Sequence, residues 1–111
     1  TKCLANIDWI ILPEQKKYTE HSWQSYVLMI DEKILKKKSF QIMKILEKKG
    51  ISTRFGTHAI HTLHYYKKKY GFKEYDYPLS LKAMNNSISL PLHYNLTKSN
   101  LDFIIKEIKK I

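Results

Sequence analysis

Three of the five histidines in this sequence, His58, His61 and His64, recur at every third position, which is the spacing that first suggests metal binding. On a helix the first two would be neighbours and the third would swing well round the cylinder, so the three rings do not converge. A zinc site also needs Cys, Asp or Glu to complete its shell, and no acidic residue lies between Glu47 and Glu74. The three read first as ordinary surface, cap or interface histidines, with contact to an anionic ligand as the alternative. Gly56-Thr57-His58 would offer backbone amides to a negative group if it opened a helix, and Arg54, the only arginine, stands just before it. His93 follows Ser89-Leu90-Pro91-Leu92, where a strand would present a side chain at the rim of a sheet. Covalent catalysis has little to work with. No Gly-x-Ser-x-Gly elbow is present, and three glycines, at 50, 56 and 71, are too few for a phosphate-cradling loop. Cys3 is the lone cysteine, with no disulfide partner and no adjacent activating base, which favours a reducing compartment. Tyr65, Tyr66 and Tyr70 can stack on bases or sugars, but packing on a helix produces the same spacing.

The formal charge of +10 invites a nucleic-acid reading. Its composition argues the other way, because nineteen of the twenty basic residues are lysine, whereas base edges and bidentate phosphate grips favour the guanidinium fork. Lysine runs at 36–38 and 67–69 lie beside helix-period apolar residues, as solvated faces do. A small lysine-rich nucleic-acid-binding module is kept as the alternative to the reading developed below.

The elements that must position these residues are legible from pattern. With 111 residues, 43% of them apolar, the chain has the size of one domain with its own core. No run approaches the roughly 18 to 20 apolar residues of a membrane span. The N-terminus has no initiator Met and no signal-like stretch, so the chain is expected to begin mid-protein. Residues 1–24, with Trp9-Ile10-Ile11-Leu12, read as a lead-in segment that docks on a partner domain. Ser25–Ile30 reads as a strand. A helix is expected over Lys38–Lys49, capped by Ser39 and stopped by Gly50. A second strand follows over Ile51–Phe55, then a helical pattern over Thr57–Tyr70 stopped by Gly71. Pro78 suits the first turn of a short helix through Asn85. Ser87–Leu92 reads as a third strand, ended at Pro91 or lying at a sheet edge. Thr97 caps a last helix whose stripe is Leu101, Ile104, Ile105, Ile108 and Ile111. The expected fold is α+β, a small antiparallel-type sheet of about three strands with helices packed on one face, with a helix-rich winged fold as the alternative.

The succession Gly50-Ile51-Ser52-Thr53-Arg54, Gly56-Thr57-His58-Ala59-Ile60-His61, Tyr65-Tyr66, Ser89-Leu90-Pro91-Leu92-His93 and a helix from Thr97 resembles the C-terminal part of DegT/DnrJ/StrS-type sugar aminotransferases, over residues 22 to 111. The chain departs from that pattern in carrying Phe55 and Ala59-Ile60-His61 where members often have Tyr and then Pro-Leu-His. The resemblance implies the small domain of a fold type I enzyme, cytoplasmic and homodimeric, that moves an amino group from glutamate to a nucleotide-linked keto sugar. It implies pyridoxal phosphate in the whole enzyme, held by an N-terminal large domain that supplies the Schiff-base lysine. No catalytic, cofactor or metal residue is then expected here, and the fragment alone would be inactive. Matched to the family loop, Thr57, His58 and His61 would face the active-site mouth. Arg54 would be a candidate for a carboxylate or phosphate, and His93 a further substrate-binding candidate.

Overall fold

Alternation along two strands makes the core. In the computed structural model, which describes residues 1–111, β2 (Tyr26–Ile30) pairs antiparallel with β4 (Ser87–Leu90), placing Leu28 opposite Ile88 and Tyr26 opposite Leu90. Directly opposed residues share a face, so Leu28, Ile30, Ile88 and Leu90 form one apolar surface. Helix α1 (Ser39–Glu47) sets Ile42 and Leu46 on it, and α4 (Lys98–Ile108) adds Ile104 and Ile108; all belong to one buried cluster. The opposite face alternates to Val27, Met29, Ser87 and Ser89.

The sheet has four strands in the order β1-β2-β4-β3, the fourth being supplied by the lead-in segment. There β1 (Ile10–Ile11) pairs with β2, Ile10 opposite Ile30. Part of the lead-in segment is therefore built into this sheet. Ile10 is buried, and Trp9 and Leu12, outside the strand, pack against the same core; within β1 the alternation sends Ile11 to the far face, where it is 52% exposed. The strand from Ser87 is also not at an edge. β4 lies between β2 and β3 (Arg54–Phe55), and it tolerates the following proline because pairing stops at Leu90, before the missing N–H of Pro91 is needed.

The helices differ from expectation mainly at their starts. Ser39 is the first helical residue of α1 and not its cap; its hydroxyl donates to the Met84 carbonyl at 3.2 Å, while the Gln41 side chain accepts from the Lys38 N–H at 2.8 Å. The helix expected from Thr57 forms only in its second half. Residues 56–59 stay non-helical, a 3-10 turn spans Ile60–Thr62, and α2 covers His64–Tyr70, because Leu63 is extended between them. Gly71 closes α2 at φ 72°, where a side chain would be strained. Helix α3 (Pro78–Asn86) runs directly into β4. Thr97 caps α4 as its sequence requires, with its hydroxyl accepting from the Asn100 N–H at 3.1 Å. Of the expected stripe, Ile104 and Ile108 are buried and Leu101 is 43% exposed. No helix is long and apolar enough to cross a membrane.

Candidate functional site

Register divides the expected site residues between two ends of the sheet. Arg54 pairs with Ser89 and Phe55 with Ile88, so the chain before Arg54 lies beside the chain that follows β4. Residues 56 onward lie at the other end, where the Gly56 N–H donates to the Ser87 carbonyl at 3.3 Å. Arg54 and His93 are therefore brought together, both lining a groove of about 680 Å³ that also takes in Ser52, Leu92, Asn100 and Phe103. Thr57, His58 and His61 are not part of it.

The groove lies beyond the last β3–β4 pair, Arg54 with Ser89, and is lined by residues 50–53 and 91–93 together with Asn100 and Phe103 of α4. Arg54 is exposed and enters none of the four ion pairs of the chain. The Thr53 hydroxyl beside it is buried and without a hydrogen-bond partner.

At the opposite end the loop after β3 presses against the sheet. A Cβ on Gly56 would lie 2.5 Å from Val27 Cγ1 and 2.6 Å from Ser87 Oγ, so glycine is required there by close approach. From that anchor Thr57 and His58 project to solvent, His58 meeting the Phe55 ring edge-on at 5.9 Å. Ala59 turns inward, fully buried, its N–H on the Met84 sulfur at 3.4 Å. His61 also turns inward. It is 5% exposed, its Nε2–H donates to the Glu74 carbonyl at 2.9 Å, and its ring lies 5.1 Å from that of Tyr77. A ring so held fixes the loop from behind. His58, His61 and His64 diverge, and no group of three His, Cys, Asp or Glu is placed to hold a metal. Beyond them Tyr65, Tyr66, Tyr70, Phe72 and Tyr77 form a chain of ring contacts at 5.2 to 6.1 Å, with the Lys69 ammonium over Tyr65 and Tyr70. The tyrosine spacing thus serves packing, as the sequence suggested.

One polar constellation was missed by sequence reasoning. Glu32, just after β2, accepts from Lys82 Nζ at 2.7 Å and from Asn86 Nδ2 at 2.9 Å, with Lys38 at 3.8 Å. It ties the end of β2 to α3. The hydrogen bond from Lys82, that from Asn86 and the surrounding lysines hold the Glu32 carboxyl at about 2, below the ordinary 4.5, and raise Lys82 in return. The pairing of Met29 with Ser87 is what makes Glu32 and Asn86 neighbours. Only a correct strand register could have found them.

The sequence profile of the DegT/DnrJ/EryC1/StrS aminotransferase family matches residues 1–109. An uncharacterized protein, MJ1066, of Methanocaldococcus jannaschii is 29% identical over 96% of the chain and 28% of its own length. The spore coat polysaccharide biosynthesis protein SpsC of Bacillus subtilis is 29% identical over 95% of the chain and 27% of its own. The structure superposes on the pyridoxal-phosphate form of a sugar aminotransferase of Streptococcus pneumoniae with TM-score 0.84 and 26% identity, covering 98% of this chain and 27% of that one. PseC of Helicobacter pylori, an aminotransferase of pseudoaminic acid biosynthesis, shares the fold at TM-score 0.83 and 17% identity over 98% of this chain and 29% of its own. The chain thus spans little more than a quarter of the proteins it matches.

Proposed function

The chain belongs to the DegT/DnrJ/EryC1/StrS aminotransferase family, and from that premise we propose that it is the small domain of a pyridoxal-phosphate-dependent enzyme moving an amino group from glutamate to a nucleotide-linked keto sugar. The observation that carries the reading is the fit of nearly the whole chain, 98%, to about a quarter, 27%, of a sugar aminotransferase at TM-score 0.84. The products would be amino sugars for surface polysaccharide, in keeping with the likeness to a spore coat polysaccharide protein. A cytoplasmic homodimer is part of the proposal.

The residues present do not themselves fit the cofactor. A Schiff-base lysine works from a desolvated pocket, and none of the nineteen lysines is buried. The cofactor, the Schiff-base lysine and the electron sink they form are accordingly assigned to a large domain of the same polypeptide, and this chain by itself to an inactive state. Its own part is positional. Thr57 and His58, exposed on a loop pinned by Gly56, would face the substrate at the mouth, and His61 would hold that loop from behind through the Glu74 carbonyl. Arg54 and His93, at the far end of the sheet, are left to a separate anion contact.

A chimera tests this directly. The corresponding quarter of the Streptococcus pneumoniae enzyme is replaced by this chain, and conversion of the bound pyridoxal form to the pyridoxamine form by glutamate is followed by absorbance. Glutamate should convert the chimera, a nucleotide-linked keto sugar should reverse the conversion, and His58→Ala should raise KM for the sugar more than it lowers kcat. A folded, cofactor-loaded chimera that glutamate leaves unchanged would sink the proposal. So would DNA binding by the chain alone at micromolar affinity with steep salt dependence.

A further inference from the structure

The groove at the end of the sheet away from His58 has the composition of a ligand site distinct from the Thr57–His58 loop. Its volume of about 680 Å³ falls within the range of about 300 to 1,000 Å³ typical of small-molecule sites. We propose that it binds a carboxylated sugar ring, with the Arg54 guanidinium taking the carboxylate.

Charge selects the ligand first. In a chain with nineteen lysines, none lines the groove, and Arg54 is its only permanently charged residue. One unpaired guanidinium matches one carboxylate through two parallel N–H···O bonds, whereas a phosphate-rich polymer would need several cations along its track. No Asp or Glu lines the groove either, so nothing balances an ammonium group, and amino acids are disfavoured.

The remaining lining selects the body. Gln24, Ser52 and Ser89 contribute hydrogen-bonding side chains to the lining, as a polyhydroxylated ligand requires. Asn100 joins them, because its Oδ1 is occupied by the Thr97 cap and its Nδ2 hydrogens remain free to donate. The Thr53 hydroxyl is buried without a partner, which is a cost unless something supplies one. Leu92 and Phe103, 44% and 46% exposed, give an apolar wall of the kind that receives the C–H face of a pyranose. Rim hydroxyl contacts, an apolar wall and a single guanidinium together describe a uronate-type ring.

This inference stands apart from the aminotransferase reading, since it concerns residues at the opposite end of the strands and its test measures binding alone. The full 111-residue chain, isotopically labelled, is titrated with D-glucuronate, D-glucose and inorganic phosphate while the Arg54 Nε–H and His93 ring signals are followed by NMR. Glucuronate should move both signals saturably and glucose should move neither. Arg54→Gln should weaken glucuronate binding about tenfold or more, the loss expected for a charge-assisted pair. Arg54→Lys, which keeps the charge and loses the fork, should fall between, and His58→Ala should have no effect. The proposal is overturned if glucuronate leaves the signals in place, if Arg54→Gln binds it as the parent does, or if glucose or phosphate saturates the same signals at equal concentration.

Discussion

Two regions of this molecule both carry many apolar residues and use them differently. The sheet with α1 and α4 interdigitates aliphatic side chains into one cluster, Leu28, Ile30, Ile42, Leu46, Ile88 and Ile108 being at most 2% exposed. The segment from Thr57 to Leu79 buries only Ala59 and His61, and leaves Ile60, Leu63, Tyr65, Tyr70, Tyr75, Tyr77 and Leu79 at least 45% exposed. Helix α2 buries nothing. The difference is one of partners. A sheet offers a helix a flat apolar face, so aliphatic groups can pack at crystal-like density. Away from it, the segment holds itself by ring contacts and by main-chain acceptors such as Glu74. The lesson is that the first region sets stability and the second is free to recognise, since low local burial goes with low local stability.

The comparison is broken most forcefully in the sheet region. Ile42→Ala removes a side chain that is 1% exposed at the centre of the cluster, and should cost about 2 to 5 kcal/mol in urea unfolding. An equivalent truncation of Tyr75, 76% exposed, should stay within about 0.5 kcal/mol. Equal losses would mean that the two regions are one cooperative core.

Gly56 lies at the junction. Gly56→Ala forces a Cβ against Val27 and Ser87, so we expect about 1 to 3 kcal/mol of destabilisation from overpacking. Amide exchange should quicken from Thr57 to Gly71 more than within β2 and β4. A uniform change across both regions would erase the junction.

The smallest effect belongs to the Glu32 tie between β2 and α3. Because the folded carboxyl sits near 2 and the ordinary value is 4.5, the unfolded state binds the proton first. The tie's contribution is complete above about pH 5 and is lost as pH falls through about 2. Amides of α3 should loosen over that window in the parent and not in Glu32→Gln, which has lost the carboxylate at every pH. An acid response of α3 that survives in the variant would assign it to another group.

How far the sequence could be read depended on whether a feature was local. Helix α4 was legible to its cap because Thr97, Asn100 and the Ile104/Ile108 stripe lie within three turns of one another. Gly50 and Gly71 marked helix ends because left-handed backbone is a single-residue property. The four-stranded order was not legible, since β1 is two residues long and is identified as a strand only by Ile30 across from it. The helix expected from Thr57 failed for the same reason. Its first residues have helical spacing, but Gly56, Ala59 and His61 are held by Ser87, Met84 and Glu74, which are distant in sequence or lie beyond the next turn.

The same distinction sorts the candidate site. Sequence alone determined which residues have the chemistry: a single arginine among nineteen lysines, a histidine-bearing loop and a motif succession that marks the family. Only the tertiary structure decided who stands beside whom. Antiparallel register put Arg54 with His93 and away from His58, turned His61 inward, and joined Glu32 to Asn86. Side-chain chemistry is a property of each residue, whereas proximity is set by strand pairing over tens of residues, and no local pattern encodes it.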